Sequence, residues 1–416
     1  MTRPTLAGSN APLVKAHNLR AILLHLLQSG QASRAQLADQ TALSNAAITN
    51  LVYELLEQGI LTEEGAETQA DGQRRVGRPR TTLRLVPEAR FALGIHIGIG
   101  TLRVAVTNLH AEIVHNLIAD YEVRAPATDV LEQAAQLVER TLRESGVKRS
   151  RLCGLGIGAS GHVNPDTGVN TWAPALGWRD VPVRDWMKAR LRLPVTVDNN
   201  VRAMALGEAM FGAGRGVNLL AFVYGRIGVG AGFVLNGQLF RGSGAGAGEV
   251  GHTIMLPDGG ELCGCGKRGC LETLVSEPVF IRQAEALAAR SPQSMLARHL
   301  RQRSEARPIE RIFAAARAGD TATRDMITER ARYLGIALAN LVNVLNPELI
   351  LLGGMFAQGS DLILPTAEAT MRATAFAGLG ERVRVLPTEY GWRAGVIGAA
   401  ALALDTFFYR QMELNG

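Results

Sequence analysis

Cysteine is scarce in this chain: there are four among 416 residues, and three of them crowd into CGCGKRGC. That distribution excludes a disulfide framework and points to a metal site. Long apolar runs are also missing. VIGAAALAL near the end is too short and too glycine-rich to span a bilayer. The opening MTRPTLAGSN carries no apolar stretch of the signal-peptide kind. No membrane contact and a cytoplasmic location are therefore expected. With 20% charged and 47% hydrophobic residues, the composition is ordinary for a soluble globular protein. The length exceeds one small core and suggests two or three domains. A net charge of +6 is compatible with nucleic-acid binding but is weak ground by itself.

What is present begins with a helical pattern. NLRAILLHLLQS, from Asn18 to Ser29, sets Leu19, Ile22, Leu23 and Leu26 on one face, and Gly30 ends it. Ser33 with Gln36 three residues on has the form of a capping box. Ser44 then caps a third helix whose buried stripe is Ile48, Leu51, Val52, Leu55 and Leu56, with Gly59 as its stop. Ser44, Asn45, Ala46, Thr49 and Asn50 lie off that stripe, and such small and amide side chains suit a helix entering the major groove.

An ordinary three-helix bundle would explain those helices alone. The next segments favour a reader of DNA. ILTEEG and TTLRLVP read as two strands, and RRVGRPR between them places Arg74, Arg75, Arg78 and Arg80 at a hairpin tip. A charge run is commonly just a solvated loop, but this one stands where a wing over phosphate or minor groove would stand. Residues 1–86 are therefore expected to form a winged helix-turn-helix with a basic wing, its partner a double-stranded DNA operator.

Beyond Val86–Arg90 the pattern shifts to apolar strands. FALGIHIGIGTLRVAVTNLHAEIVHNL reads as successive strands joined by tight turns, and LLAFVYGRIGVGAGFVLNGQLFRG repeats the plan with an Asn-Gly hairpin turn. Amphipathic helices follow each copy, as in DVLEQAAQLVERTLRES and ATRDMITERARYLGIALANLVNVL. Two copies imply an α/β fold of two lobes facing a cleft, a place where ligands bind.

His252, Cys263, Cys265 and Cys270 supply one imidazole and three thiolates. That soft donor set favours Zn²⁺, and four protein ligands fill its tetrahedron, so a structural ion in a loop spanning 252–270 is expected rather than a catalytic one. Cys153, in RLCGLGIG, reads instead as a plain strand cysteine.

GWRDVPV, LGEAMFGAG, GVGAGFVLNGQLFRG, GAGEVGH, CGCGKRGCLET and LANLVNVLNPELILLGG, in that order, resemble the ROK family of repressors and sugar kinases. The likeness covers about residues 90–405. With the winged helix and the GRP-containing linker, the whole chain is similar to the family's transcriptional repressors, the xylose-repressor type included. The resemblance implies an actin-like, ribonuclease H-like fold over residues 87–416. Its lobes would cover about 87–200, with the C-terminal helix returning, and about 201–400. It also implies that the metal-binding His252 reads a sugar with its other nitrogen, and that Glu249 and Glu272 contact the sugar hydroxyls. By composition alone both acids would be solvated surface groups.

The family's kinases carry an aspartate base at the end of an E-N-D segment, where this chain has Asp198, Asn199 and Asn200. An amide accepts no proton, though both asparagines can hydrogen-bond a sugar. The first phosphate loop, D-I-G-G-T in the kinases, is His96-Ile97-Gly98-Ile99-Gly100 here. The second, Gly228 to Gly232, is better kept, but Arg226 and Ile227 precede it where the kinases carry glycine and threonine. Gly353 and Gly354 match adenosine-side glycines, or equally a tight turn. The expectation is a non-enzymatic, sugar-responsive repressor acting as a homodimer or homotetramer, with Asn199, Asn200, Glu249, His252 and Glu272 binding the effector. The rivals are an active sugar kinase carrying a DNA-binding module, and a repressor that answers to a protein partner.

Overall fold

The structure, a computed structural model, describes residues 11–65, 81–302 and 305–410. The apolar stripes at helical spacing become α1 (Ala11–Ser29), α2 (Arg34–Thr41) and α3 (Asn45–Glu57). Ser33 and Gln36 form the reciprocal capping box, with Ser33 N–H donating to Gln36 Oε1 at 2.8 Å. Helix α1 starts at Ala11, ahead of Asn18, because an exposed first part without core residues is carried by good helix formers and by an ion pair of Lys15 with Glu54 at 2.8 Å. Leu56, at the edge of the α3 stripe, is only half-buried. Strand β1 (Leu61–Glu64) pairs antiparallel with β2 (Thr82–Leu85). The segment between them carries Arg74, Arg75, Arg78 and Arg80, all of which lie outside the described residues.

The first lobe contains β3 (Phe91–Gly98), β4 (Thr101–Asn108), β5 (Ile113–Asp120), helix α4 (Ala127–Ser145) and β6 (Leu152–Ala159). A small three-stranded sheet of β7 (His162–Asn164), β8 (Val169–Ala173) and β9 (Trp178–Val181) follows. Helix α5 (Val183–Leu191), β10 (Val195–Asn199) and α6 (Asn200–Phe211) come next. The second lobe contains β11 (Leu219–Gly225), β12 (Val229–Leu235), β13 (Gln238–Phe240), β14 (Leu349–Gly354) and β15 (Arg384–Pro387).

The main sheets run β10-β6-β3-β4-β5 and β13-β12-β11-β14-β15. Each has three antiparallel strands followed by two added in parallel, so the repeat read in the sequence is a repeat of topology. Two helices lock the lobes together. Helix α6 lies under β12 of the second lobe, and the C-terminal helix Ala394–Leu404, buried on every face, returns to the first lobe's sheet. They cross where Gly207 meets Gly398, so closely that a Cβ on Gly207 would lie 3.0 Å from the Gly398 Cα.

The three-helix module is packed onto this body rather than tethered to it. Its Leu19, Ile22 and Leu26 share one apolar core with Leu109, Leu404 and Tyr409. Arg20 lies 3.5 Å from Asp405. A cavity of about 560 Å³ at the junction is lined by Leu27, His110, Glu112, Arg215, Tyr390 and Trp392. Among the described residues no helix is long and apolar enough to cross a membrane.

Candidate metal centre and effector cleft

The cysteine loop is laid against strand β12. Gly248, with φ near 103°, carries the chain so close that a Cβ there would sit 2.0 Å from the Ala231 carbonyl oxygen, so no other residue fits. The short turn Val250–His252 then aims the histidine at the cysteines. Cys263 Sγ lies 3.6 Å from His252 Nδ1, Cys265 Sγ lies 3.7 Å from Cys270 Sγ, and all four donor atoms fall within 4.8 Å of one another. Around a tetrahedral zinc with bonds of about 2.3 Å to sulfur and 2.0–2.1 Å to nitrogen, the S–S and S–N edges would be roughly 3.8 and 3.6 Å. Donor set and spacing therefore fit a four-coordinate metal ion. Because Nδ1 faces the thiols, Nε2 is the nitrogen left to meet something else. Cys153 stands apart in β6, where burial pushes its thiol up to about 12, as suits an inert strand cysteine.

The remaining sugar-site candidates gather around the first half of the same strand. Glu272 Oε2 accepts from the Val229 N–H at 3.0 Å, while its Oε1 lies 3.7 Å from Cys263 Sγ. Glu249 is exposed at the head of the His252 turn. A Cβ on Gly230 would lie 3.6 Å from Val201 Cγ2 and 3.9 Å from the Gly248 carbonyl oxygen, so the start of α6 converges on the same place. Asn200 begins that helix, mostly buried, and its Nδ2 donates to Ser160 Oγ at 3.3 Å. Asn199 caps the helix: its Oδ1 accepts from Val201 and Arg202 N–H, and its Nδ2 donates to Gly161 O at 2.9 Å. Both polar atoms of Asn199 are thus engaged in holding α6.

Asp198, which occupies the first place of the kinase-like acid segment, is sealed from water. Arg202 Nε donates to one carboxylate oxygen at 2.6 Å and Arg241 Nε to the other at 2.8 Å. The i, i+4 spacing of Asp198 and Arg202 is the only sign of this pair in the sequence, and it cannot announce burial.

At the first phosphate-loop position, His96 is 3% exposed and its Nδ1 has no partner among the described residues. Burial first, then the charges of Arg103 and Arg226, pull its pKa down to about 3, so the imidazole is neutral. A neutral ring holds no Mg²⁺ as a carboxylate would. Gly353 and Gly354 end β14 where it pairs with Tyr224 and Gly225 of β11, and Gly354 turns with φ near 66°.

On the proposed DNA-reading face, Ser44 caps α3 by accepting from Ala47 N–H at 3.2 Å, and Thr49 Oγ1 donates to Asn45 O at 2.8 Å. Asn45, Ala46, Thr49 and Asn50 are all exposed. Tyr53, 60% exposed and one turn beyond Thr49 on the same face, was not singled out by sequence reading. Its spacing of four from Thr49 was the available signal.

The profile described as the ROK family matches residues 92–406. A xylose repressor of Caldicellulosiruptor bescii is 29% identical over 399 residues, which are 95% of this chain and 97% of its own length. A glucokinase of Halalkalibacterium halodurans is 33% identical over 313 residues, 75% of this chain and 94% of its own. A crystal structure of a ROK family transcriptional regulator, a homologue of the Escherichia coli Mlc protein, superposes with a TM-score of 0.80 at 28% identity, covering 95% of this chain and 97% of that one.

Proposed function

The chain belongs to the ROK family, and from that membership we propose that it is a sugar-responsive, DNA-binding transcriptional regulator, a repressor of carbohydrate-utilisation genes acting in the cytoplasm. One observation carries the reading. Its likeness to a repressor runs through the helix-turn-helix as well as the two-lobed actin-like body, whereas its likeness to a kinase leaves a quarter of the chain uncovered. The site agrees, because Asn200 offers an amide where a kinase needs a proton acceptor.

In this reading the effector lies against β12. Asn200, Glu249 and Glu272 meet its hydroxyls together with His252 Nε2. Asn199 contributes through the cap that holds Asn200 in place. Zn²⁺ held by His252, Cys263, Cys265 and Cys270 would fix the imidazole by Nδ1 and leave no coordination position for chemistry. Lobe movement would pass through α6 and the C-terminal helix to Asp405 and Arg20, and so to the DNA-reading helices. Two such modules in a homodimer or homotetramer would fit paired half-sites in one state only. An effector that prefers one state by about 3 kcal/mol shifts that balance more than a hundredfold.

The test is binding to the DNA upstream of the protein's own gene, titrated with free and phosphorylated sugars. Release by one of them is the expected result, and indifference to the whole panel overturns the reading. The glucokinase likeness supports a second reading, an active sugar kinase with a DNA-binding module. It requires ATP turnover with some sugar. Under the first reading turnover is absent in the native chain and appears, if anywhere, in Asn200→Asp.

A further inference from the structure

The junction cavity of about 560 Å³ takes its wall from several separate parts of the molecule. Leu27 of α1 comes from the three-helix module, and His110 and Glu112 come from the turn between β4 and β5. Arg215 follows the end of α6, and Tyr390, Trp392 and Arg393 stand where the C-terminal helix begins. The turn between β4 and β5 is held ready by Asn108. Its Oδ1 accepts from the His110 and Glu112 N–H groups at 3.0 Å each, and its Nδ2 donates to Glu112 Oε2 at 2.7 Å. A wall fixed in this way costs a ligand little ordering of the protein.

The polar groups of this wall do not match one another. Arg215 makes no ion pair or side-chain hydrogen bond among the described residues, and Arg393 reaches only the Tyr390 carbonyl, at 3.5 Å. The buried Nε2 of His110 has no partner among them either. Glu112 is the one acid among the described residues of the wall, and Asn108 already engages it. Glu208 does not line the cavity; it is buried, with Thr388 Oγ1 and the Ala213 N–H donating to it. Glu389 is exposed and also stands outside the wall. Two guanidinium groups against one engaged carboxylate leave a surplus of positive charge. Burial first, then the charge of Glu208, pushes the Tyr390 phenol up to about 12, so its hydroxyl keeps its proton and stays a donor. Trp392, 48% exposed, adds a large ring beside these donors. A lone surface arginine is ordinarily just solvated, but here two share one concave wall with two aromatic rings.

We propose that the junction cavity is a second effector site, apart from the sugar cleft, and that it takes the anion of an aromatic carboxylic acid. The free guanidinium and phenol groups are donors, and a carboxylate is a group that only accepts. A sugar would need acceptors for its hydroxyls as well, and the one carboxylate here is already engaged. Guanidinium forks match a carboxylate in shape and charge. The flat ring of the acid packs against Trp392 and Leu27. Because Leu27 belongs to the module and the rest of the wall to the body, a bound acid favours the arrangement in which the two are packed together. Operator binding changes that packing, so acid and operator shift each other's affinity by one common factor. This coupling rests on the DNA-binding reading above; the binding of the acid does not.

Calorimetric titration of the full chain tests this with benzoate, 4-hydroxybenzoate and indole-3-acetate, their neutral amides, cyclohexanecarboxylate and acetate. The expected result is an aromatic acid that binds with a Kd of about 1 mM or tighter, and about tenfold or more tightly than its amide or acetate. Arg215→Gln and Arg393→Gln, both at exposed positions, should each weaken the acid about fivefold, and together they should remove its preference over the amide. Trp392→Ala should weaken acid and amide alike. In the native chain a saturating acid should move operator affinity by about fivefold or more, and operator should move the affinity of the acid by the same factor. Silence from every acid overturns the site, and so does acid binding that survives the double arginine variant or that a sugar displaces by competition. Cyclohexanecarboxylate binding as tightly as every aromatic acid overturns the assignment to an aromatic ring. An acid that binds here while operator affinity stays fixed overturns the effector role and leaves sugar sensing standing. Failure to bind any operator, with or without acid, overturns the DNA-binding reading instead.

Discussion

Arg202 and Asp198 meet at 2.6 Å with both side chains sealed from water, and the same guanidinium donates to Val163 O at 2.9 Å and Ala245 O at 2.7 Å. One carbonyl belongs to the first lobe's small sheet and the other to the loop that leads to Glu249 and His252. The pair therefore fastens the start of α6 to both sides of the cleft. It also leaves both carboxylate oxygens of Asp198 engaged, one by Arg202 and the other by Arg241.

Removing one partner of such a pair leaves an uncompensated buried charge, at a cost of about 3–5 kcal/mol. Asp198→Asn should lower the unfolding free energy by about that amount, read from the midpoint in urea. It should do so in free protein and on DNA alike. A loss below about 1 kcal/mol would mean that the Val163 and Ala245 carbonyls hold Arg202 without the carboxylate.

Chelation tests the division of labour in the cysteine loop. If zinc fills the cluster of His252, Cys263, Cys265 and Cys270, stripping it, or changing Cys265 to Ser, should reduce bound zinc and abolish the response to sugar while operator binding persists. Metal content and a DNA titration with and without sugar give the answer. Loss of operator binding before loss of the sugar response would place the ion in the wrong role.

His96 makes a prediction about pH. Its folded pKa is held near 3, against about 6.5 for an ordinary histidine, chiefly by burial and then by Arg103 and Arg226. Between those values the unfolded chain takes up a proton that the folded chain refuses. Its contribution to stability is full above about pH 6.5 and falls as the pH drops toward 3. The native chain should therefore lose up to about 1.4 kcal/mol per pH unit more than His96→Gln between pH 6 and 4. Equal slopes in urea titrations would show that the ring is protonated in the fold.

Some of this was legible residue by residue. Ser33 with Gln36, Ser44, and the Asn-Gly turn at Asn236 and Gly237 are local chemistry, and the chain folds locally as they require. The clustering of Cys263, Cys265 and Cys270 with His252 was legible because cysteine is rare and its spacing short. Asp198 with Arg202 was not, since only the packing of α6 beneath β12 buries them. The burial of His96 against Gly395 was not legible either, since the C-terminal helix that covers it lies about 300 residues away. The early start of α1 was hidden for a different reason: its exposed first part has no apolar period to reveal it.

If α3 and the basic run read DNA as proposed, two kinds of contact separate. Asn45 and Asn50 are exposed on α3 beside its N-terminus, where an amide can make paired hydrogen bonds to a base edge. Asn50→Ala should cost about 1–3 kcal/mol on the preferred operator and much less on sequences changed at the contacted base. Arg78 belongs to the basic run and meets phosphate in this scheme, so Arg78→Ala should weaken all sequences alike and make the salt dependence shallower by about one counterion. Competition binding on operator variants at several salt concentrations distinguishes these patterns. Normal binding by both Asn45→Ala and Asn50→Ala at every site would move the recognition surface off this end of α3. Exposed Tyr53, one turn further along, would then be the next side chain to change.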